Sequence, residues 1–301
     1  MLKLTKDIDE ANLITHGGTF HPDDVFSTVL MSKIIDDPVV YRATASESAY
    51  ANKIVYDIGF GEFDHHGPDA LMRNEKIKYS SFGLLWKRYG KEYLTKITSD
   101  IDEMWTAIDE RLVMQIDGID NGNFPKITAD YSLLDLDAVI DLFNRGWNEK
   151  VDNDEQFIQA FLTAENIFDR LIIKEQAKIN AKKIVEEKIR NTTGEILILD
   201  DYMPYHEALF NKKLKEAENI KIIIFPSNRK GYNIKPKTIS KDSKELLIKF
   251  PKELLGLHDE ELASKTKIPT ARFIHTEGFI AATDTLEDAI SLATLALNNK
   301  E

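Results

Sequence analysis

A strand, a glycine loop and the start of a helix are predicted by the stretch Asn12-Leu-Ile-Thr-His-Gly-Gly-Thr-Phe-His-Pro-Asp-Asp24. Its apolar first part ends at His16, and Asp23 and Asp24 stand where the first turn of a helix would begin. Apolar residues then recur at helical spacing from 25 to 34. The stretch therefore predicts that imidazole and carboxylate groups meet at the carboxyl end of a strand, the edge where open α/β sheets bind ligands.

Strand and helix patterns alternate through the first half of the chain. Short β-branched runs at Val39-Val-Tyr41 and Ile54-Val-Tyr56 are bounded by turn residues. Helical patterns follow at 80–89 and 102–119, and residues 152–190 form one long helix or two in series. Such alternation is typical of parallel strands joined by crossover helices, so we expect an α/β fold with a parallel sheet in its first domain.

The last third of the chain returns to strand patterns and is predicted to form a second, smaller α/β domain. These patterns lie at residues 195–199, 220–225, 246–250, 272–275 and 279–281. A turn at Asn228-Arg-Lys-Gly231 is expected to link two of the strands as a hairpin, and a final helix covers 285–297. We therefore predict domains at 1–150 and 194–301, joined by a helical connector at 151–193.

Composition excludes several classes of protein. The chain of 301 residues contains no cysteine, which rules out disulfides and thiolate catalysis. It has no run of about 18 apolar residues, so we expect no membrane span and a cytoplasmic location. The net charge of −12 argues against a general nucleic-acid coat protein. Residues 212–252 nevertheless carry twelve Lys or Arg and four Asp or Glu, a balance of +8 that could attract anions or form an ordinary solvated face.

Four of the seven histidines lie between positions 16 and 66, beside aspartates or glycines. The segments that carry these groups, together with a later acidic one, are 15–24, 56–59, 63–67 and 116–122. Because they follow strands or end a helix, their side chains are expected to converge at one edge of the first sheet. Imidazole and carboxylate ligands together suit Mn²⁺, Fe²⁺, Co²⁺ or Zn²⁺ better than Ca²⁺. Their number exceeds what one tetrahedral zinc ion requires, which indicates two metal ions that share a bridging carboxylate.

Two metal ions about 3.5–4 Å apart would acidify a bridging hydroxide and polarise a phosphoryl oxygen. That chemistry requires no serine or cysteine nucleophile. The alternative interpretation is a set of surface histidines and helix-capping aspartates, which is the commoner role of each residue taken alone. The occurrence of so many of these residues together favours the metal site.

A second candidate site lies at Arg272-Phe-Ile-His-Thr-Glu-Gly-Phe279. A histidine followed by a glycine turn between two short strands can present backbone N–H groups to an anion. A plain β-turn with a surface histidine is the alternative. His206 and His258 lack such companions and are interpreted as surface or cap residues.

One segment, Phe63-Asp-His-His-Gly67, resembles the signature of the DHH phosphoesterase superfamily. More closely, the chain resembles the melanocyte-proliferating-gene-one family of DHH-like metal hydrolases, whose opening motif is similar to residues 15–24. The other similar segments are 79–86, 117–122, 144–147, 250–257 and 273–279. The three letters DHH alone are a weak match, whereas this ordered series runs nearly from end to end and is specific.

The resemblance implies a parallel-sheet metal domain at 1–150 followed by a smaller substrate-binding domain, with the site in the cleft. Two divalent ions are implied, usually manganese, with Mg²⁺, Co²⁺ or Zn²⁺ as alternatives. The metal ligands carried over by motif are His16, His21, Asp23, Asp57, His65 and Asp117. Asp57 is the implied bridge. Of the catalytic residues, Asp64 would orient a histidine and His66 would face the phosphate.

This chain departs from the superfamily in its first motif, where a histidine is usually followed by two aspartates at shorter spacing. Here His21 stands roughly where the first aspartate would be. Asp24 therefore stays open as an alternative ligand to Asp23. Asp120 stays open as an alternative to Asp117 for the same kind of reason.

The resemblance implies that the substrate is a phosphate ester. It also implies that the second domain holds one phosphate of that substrate, through His275, Gly278 and Arg272. The leading hypothesis is a 3′-to-5′ exonuclease or phosphodiesterase on RNA or short oligonucleotides, since eukaryotic relatives are described as 3′-to-5′ RNA exonucleases. A small-molecule phosphatase acting on pyrophosphate or nucleotides is the alternative that the net charge of −12 favours. A metal- or RNA-binding protein without catalysis is the third. A homodimer formed through the apolar long helix is left open.

Overall fold

The computed structural model describes residues 2–43, 52–68 and 70–299. The chain divides into two compact units, Met1–Gln176 and Ala177–Glu301. This division falls inside the long helix that the sequence predicts, so a separate connector at 151–193 stays a prediction. Among the described residues, no helix combines the length and the apolar character that crossing a membrane requires.

Parallel strands form the sheet of the first unit, in the order β1-β3-β2-β4. Their bounds are β1 (Lys3–Thr5), β2 (Leu13–His16), β3 (Val39–Ala43) and β4 (Ile54–Val55). The predicted parallel sheet is confirmed, although the three-residue β1 is too short to have shown a pattern. Tyr56 was expected in β4 but forms an isolated bridge with Phe63 and is fully buried.

The helices that begin in the first unit are α1 (Pro22–Ile34), α2 (Ser81–Thr95), α3 (Ile101–Ile108), α4 (Met114–Asp120), α5 (Leu136–Asp141) and α6 (Asn153–Arg190). The first of these begins with Asp23 and Asp24 in its first turn, as predicted, and packs against α2. The single helix predicted at 102–119 is interrupted by a π-helical turn, Asp109–Val113. Such a turn changes the direction in which the following side chains point and is frequent at functional sites.

A five-stranded sheet forms the second unit, in the order β5-β6-β7-β9-β8. Its strands are β5 (Ile196–Ile198), β6 (Ile222–Pro226), β7 (Tyr232–Pro236), β8 (Ala271–Ile274) and β9 (Ala281–Thr283). Strands β5 and β6 are parallel, and the other pairs are antiparallel. The helices that begin in this unit are α7 (His206–Leu209), α8 (Asp259–Thr266) and α9 (Leu286–Leu297), and the last part of α6 also belongs to it.

Both faces of the second sheet are covered. Ile222 and Ile224 of β6 belong to a core cluster that includes residues of α9, whereas Ile223 between them belongs to a cluster with residues of α7. This alternation follows from the period of two along a strand. The hairpin turn predicted at 228–231 is confirmed, with Gly231 at φ +69°, but it leads into β7, which the sequence did not reveal.

The strand predicted at 246–250 was wrong. Within the described residues this segment contributes one isolated bridge, between Leu246 and Thr238. Phe250 is instead buried in the core cluster, with Ile248 packed against it. An apolar run can therefore serve packing without pairing in a sheet, which periodicity alone does not distinguish.

Candidate metal centre

The carboxyl edge of the first sheet brings several of the predicted residues together. His16 is the last residue of β2, and Asp57 follows β4 after one further residue. Asp57 adopts a left-handed conformation with φ +58°, which few residues other than glycine occupy. Strained backbone of this kind clusters at functional sites, where the surrounding structure holds it in place.

The two carboxylate oxygens of Asp57 face different histidines. Its Oδ2 lies 3.1 Å from Nε2 of His16, and its Oδ1 lies 3.1 Å from Nε2 of His65. Nδ1 of His66 lies 3.6 Å from the same Oδ1. Asp57 is only 4% exposed. A buried carboxylate that presents one oxygen to each of two imidazoles has the arrangement that a ligand bridging two cations requires.

Further carboxylates complete the cluster. Nε2 of His65 lies 3.1 Å from Oδ2 of Asp120 and 3.8 Å from Oδ2 of Asp23. On the other side, Oδ2 of Asp24 lies 3.5 Å from Nε2 of His16. The ligand atoms of Asp23, His65 and Asp120 all lie within 4.8 Å of one another, as do those of Asp57, His65 and His66. His65 is therefore common to two sets of atoms that could each hold an ion.

Several oxygens of this cluster accept no well-directed hydrogen bond within the described residues, although two of them lie 3.1 Å from Nε2 of His65. They are Oδ1 of Asp23, Oδ2 of Asp24, Oδ1 of Asp57 and Oδ2 of Asp120. A buried polar atom without a partner is costly, so such atoms in native proteins usually meet a water molecule or an ion. Imidazole nitrogens and carboxylate oxygens together are ligands for Mn²⁺, Fe²⁺, Co²⁺ or Zn²⁺. The residues present therefore fit divalent cations.

The pKa values of the carboxylates also indicate that the cluster would attract cations. Burial, with repulsion from Asp57, raises the pKa of Asp23 to about 6. Burial, together with neighbouring carboxylates, raises the pKa values of Asp24 and Asp120 to about 8. Burial opposes ionisation of Asp57 as well, but its contacts with two histidines lower its pKa to about 2. The cluster thus holds more carboxylates than its own positive charge can balance.

The two histidines that face Asp57 respond in the opposite sense. Burial disfavours the charged imidazole, but contact with Asp57 and the neighbouring aspartates outweighs it. The pKa values of His16 and His65 are consequently raised to about 9. Without added cations, protons on these rings supply the positive charge that the carboxylates attract.

Asp64 and His66 form a pair beside the cluster. Asp64 accepts hydrogen bonds from the backbone N–H groups of Phe60 at 2.6 Å and of His66 at 3.0 Å. Its Oδ1 also lies 2.7 Å from Nδ1 of His66. Asp64 thereby fixes the ring of His66, whose side chain is 56% exposed. The geometry suits the predicted orienting role of Asp64, which stays a prediction.

Asp117 lies outside the cluster. Its Oδ1 accepts hydrogen bonds from the backbone N–H of Ser80 at 2.9 Å and from its hydroxyl at 2.7 Å. Its Oδ2 accepts one from Nε of Arg73 at 2.7 Å, and the same guanidinium binds Asp109 in the π-helical turn with both Nη atoms. The acceptor capacity of Asp117 is therefore engaged by its neighbours. The structure brings Asp120 to His65 and does not bring Asp117 there.

An open cavity of about 830 Å³ extends from the cluster. His21 lines it, and its ring centroid lies 6.0 Å from that of His16. The wall also includes Thr19, Lys78 and Asn121, which sequence reasoning did not single out. Lys78 directly precedes the motif at 79–86, and this position was the signal in the sequence that could have placed Lys78 near the site. Arg73 carried no sequence pattern that could have revealed its part in holding Asp117.

The second predicted site lies in the second unit. His275 and Gly278 form the turn between β8 and β9, as predicted, with Gly278 at φ +70°. Nδ1 of His275 accepts a hydrogen bond from the N–H of Glu277 at 3.1 Å, so the neutral ring carries its proton on Nε2 and can donate to an anion. Arg272 donates to the carbonyl of Lys230 at 3.1 Å, which engages its guanidinium within the unit. The phosphate-binding role of these residues stays a prediction.

Comparison with known proteins covers almost the whole chain. The MYG1 exonuclease family model, described as an uncharacterised protein family (UPF0160), matches residues 12–297. A MYG1 protein of Dictyostelium discoideum is 30% identical over 97% of this chain and 98% of its own length. A Homo sapiens protein named MYG1 exonuclease is 27% identical over 94% of this chain and 85% of its own length. Among solved structures, a pGpG-specific phosphodiesterase, PggH, from Vibrio covers 95% of this chain and 97% of its own at 15% identity, with a TM-score of 0.32 that is too low to bear on the fold.

Proposed function

Since the chain belongs to the MYG1 family, we propose that it is a divalent-metal-dependent phosphodiesterase that shortens RNA or short oligonucleotides from one end. Relatives named exonuclease support the class of reaction. The arrangement around Asp57 is the observation in this chain that carries the proposal. One cation would be held by His16, Asp24 and Asp57, and a second by Asp57 and His65 with Asp23 and Asp120.

Such ions, when bound, acidify a water molecule and draw negative charge from a phosphoryl oxygen. The protein's own part is to hold the ligand atoms at fixed positions in a buried, acidic setting. Buried Asp23 and Asp24 lie on the first turn of α1, and Ser81 donates a hydrogen bond of 2.7 Å to Oδ2 of Asp23. These fixed contacts limit reorganisation during the reaction, which is the basis of electrostatic preorganisation.

His66 is the proposed acid–base residue. Because Nδ1 contacts Asp64 at 2.7 Å, Nε2 is the ring nitrogen left to meet a substrate. The carboxylate of Asp64 would hold the ring in place, so that Nε2 could exchange a proton with a phosphate oxygen or with the leaving oxygen. Lys78 adds a positive charge to the cavity wall, where it could contact a neighbouring phosphate. In the second unit, Nε2 of His275 is a further proposed donor to phosphate.

The proposal is tested with end-labelled RNA and Mn²⁺, in parallel with an Asp57→Asn variant. We expect stepwise shortening that needs the metal, with label at the 5′ and 3′ ends distinguishing the direction. Chelation with EDTA and the Asp57→Asn change should each stop the reaction. RNA that stays intact with every divalent metal tried, or shortening that Asp57→Asn leaves unchanged, would contradict the proposal.

A small-molecule phosphatase is the second candidate, and the net charge of −12 favours it because long RNA would be repelled by an acidic surface. A series of oligonucleotides from dinucleotide upwards, together with pyrophosphate, separates the two candidates. Rates that rise as the substrate becomes shorter, or release of inorganic phosphate, would support the phosphatase. Rates that hold for longer RNA would support the exonuclease.

A further inference from the structure

A second cavity, of about 420 Å³, lies wholly within the second unit. Its size falls in the range of small-molecule binding sites. Three parts of the unit border it: α7 with Phe210, β7 with residues 237–246, and the turn that ends at Phe279. We call it the lysine–aromatic pocket and define it by His206, Phe210, Lys235, Lys237, Lys244 and Phe279.

The sheet explains how the pocket forms. Lys235 of β7 lies directly opposite Ile223 of β6, so both side chains project from the same face of the sheet. Lys237 follows two residues later on that face, whereas Ile234 between β6 and β9 points into the core on the other face. Ile223 lines the pocket as an apolar floor. Two lysines are therefore placed beside an apolar surface by strand geometry rather than by a mobile loop.

The lysines give the pocket an excess of positive charge. Its wall carries Lys235, Lys237 and Lys244 against one acidic residue, Glu277. Lys237 is only 9% exposed, and its Nζ donates to the carbonyl of Ala217 at 2.7 Å instead of to a carboxylate. Burial lowers the pKa of Lys237. Glu218 partly offsets this effect, but no carboxylate among the described residues forms an ion pair with Lys237, so the pocket keeps a positive charge that favours an anionic ligand.

Aromatic rings stand next to these charges. Phe279 is 39% exposed, and Nζ of Lys235 lies 6.0 Å from its ring centroid. Nζ of Lys237 lies 5.2 Å from the ring centroid of Phe210, and the ring of His206 lies 6.3 Å from that of Phe210 at an interplanar angle of 21°. Exposed rings beside ammonium groups are the combination that nucleic-acid-binding proteins use to stack bases and hold phosphates.

We propose that the lysine–aromatic pocket binds a nucleotide unit, with its base against the rings of Phe279 or His206 and its phosphate on Lys235 and Lys244. The unit is either a free mononucleotide or one residue of an oligonucleotide, because both present the same base and phosphate. The choice of a nucleotide over other planar anions rests on the proposed function. This assignment gives a role to part of the +8 stretch at 212–252, to which all three lysines belong.

Binding is measured by calorimetry on the full chain in EDTA, with 5′-AMP, adenosine, inorganic phosphate and a short oligoadenylate. Because EDTA removes divalent metal, this binding result does not depend on whether the metal-dependent reaction occurs. Likewise, a failure to bind would not affect the test of that reaction. We expect 5′-AMP to bind about tenfold or more tightly than adenosine or phosphate alone, since base and phosphate are both held. If oligoadenylate binds more tightly than 5′-AMP, the ligand is one nucleotide of an RNA chain. If the two bind equally tightly, the ligand is a free mononucleotide.

Lys235→Gln and Phe279→Ala are each expected to weaken binding about tenfold, the loss that removal of one stacking or phosphate contact causes. Lys241→Gln is the matched control, because Lys241 lies in the same basic stretch but pairs with Glu207. Circular dichroism checks that each variant is folded. The absence of 5′-AMP and oligoadenylate binding, or binding that Lys235→Gln and Phe279→Ala weaken no more than Lys241→Gln does, would overturn the proposal.

Discussion

Asp57 and His16 meet because of the register of the first sheet, in which Oδ2 of Asp57 lies 3.1 Å from Nε2 of His16. Parallel pairing of β2 with β4 sets Ile14 opposite Val55. His16 and Asp57, each two residues further along the chain than this pair, therefore lie side by side. A shift of that register by one residue would turn one of the two side chains to the other face. The strand pairing is therefore part of what assembles the candidate metal site.

Asp57→Asn is expected to reduce metal-dependent turnover by about a hundredfold or more, because the amide cannot bridge two cations as a carboxylate does. The substitution keeps the size of the side chain and removes one of several buried negative charges, so the fold should persist. Turnover, metal content and circular dichroism are measured on the same sample. A folded variant with near wild-type turnover would show that Asp57 does not bridge the ions.

Asp120 and Asp117 should differ when each is changed to asparagine. Asp120→Asn is expected to weaken Mn²⁺ binding about tenfold or more with little loss of stability, because Asp120 faces His65 and its buried Oδ2 accepts no well-directed hydrogen bond within the described residues. Asp117→Asn is expected to lower the free energy of unfolding by about 2 kcal/mol, because the amide keeps an acceptor for Ser80 but no longer accepts the charged hydrogen bond from Arg73. Titration calorimetry and thermal melts compare the two. The reverse pattern would support Asp117, rather than Asp120, as the ligand.

Gly83→Ala tests how Asp117 is held. A Cβ at Gly83 of α2 would overlap the carboxylate of Asp117, so the variant should be destabilised by about 1–3 kcal/mol through overpacking. Gly118→Ala in α4 is the matched control, because its Cβ would meet the carbonyl of Asn123 at 3.4 Å, an ordinary contact. Alanine there should be neutral or add about 1 kcal/mol from helix propensity. Equal melting temperatures for the two variants would contradict this account.

The metal-free protein is expected to lose stability as the pH rises from about 6.5 to about 9. His16 and His65 have pKa values of about 9 in the folded protein against an ordinary 6.5, and Asp24 and Asp120 about 8 against 3.8. The folded chain thus binds more protons than the unfolded chain in this range, so the free energy of unfolding falls as those protons leave.

Thermal melts in EDTA at pH 6.5, 7.5 and 9 measure this loss, and a second series contains saturating Mn²⁺. Cations should replace the protons, so the metal-loaded series should fall less. A melting temperature in EDTA that stays level or rises towards pH 9 would show that the buried carboxylates are balanced in some other way.

The parts of the fold that follow local rules were predictable from the sequence. The strand that ends at His16 and the helix with Asp23 and Asp24 in its first turn depend on apolar period and capping, which act over a few residues. The missed strand β7 carries Asn, Lys and Pro, so it has little intrinsic strand preference and depends on its pairing with β6 and β9. Tertiary pairing of this kind leaves no mark in a single sequence.

The candidate site shows the same limit. The gathering of His16, Asp57 and His65 could be predicted because each residue follows or adjoins a strand of one parallel sheet. The proximity of Asp120, rather than Asp117, to His65 could not be predicted, because it depends on the π-helical turn at 109–113 and on Arg73, which engages Asp117 from a distant segment. The rotation of a helix about its axis determines which of two neighbouring side chains faces a site. Sequence spacing alone does not reveal that rotation.

Anomalous diffraction from crystals of the protein loaded with Mn²⁺ tests the central claim most directly. We predict two anomalous peaks, one on each side of the Asp57 carboxylate, with His16 among the ligands of one ion and His65 among those of the other. A separation of about 3.5–4 Å is expected for a pair of ions that act together. Peaks elsewhere in the molecule, or none within bonding distance of Asp57, would contradict the account.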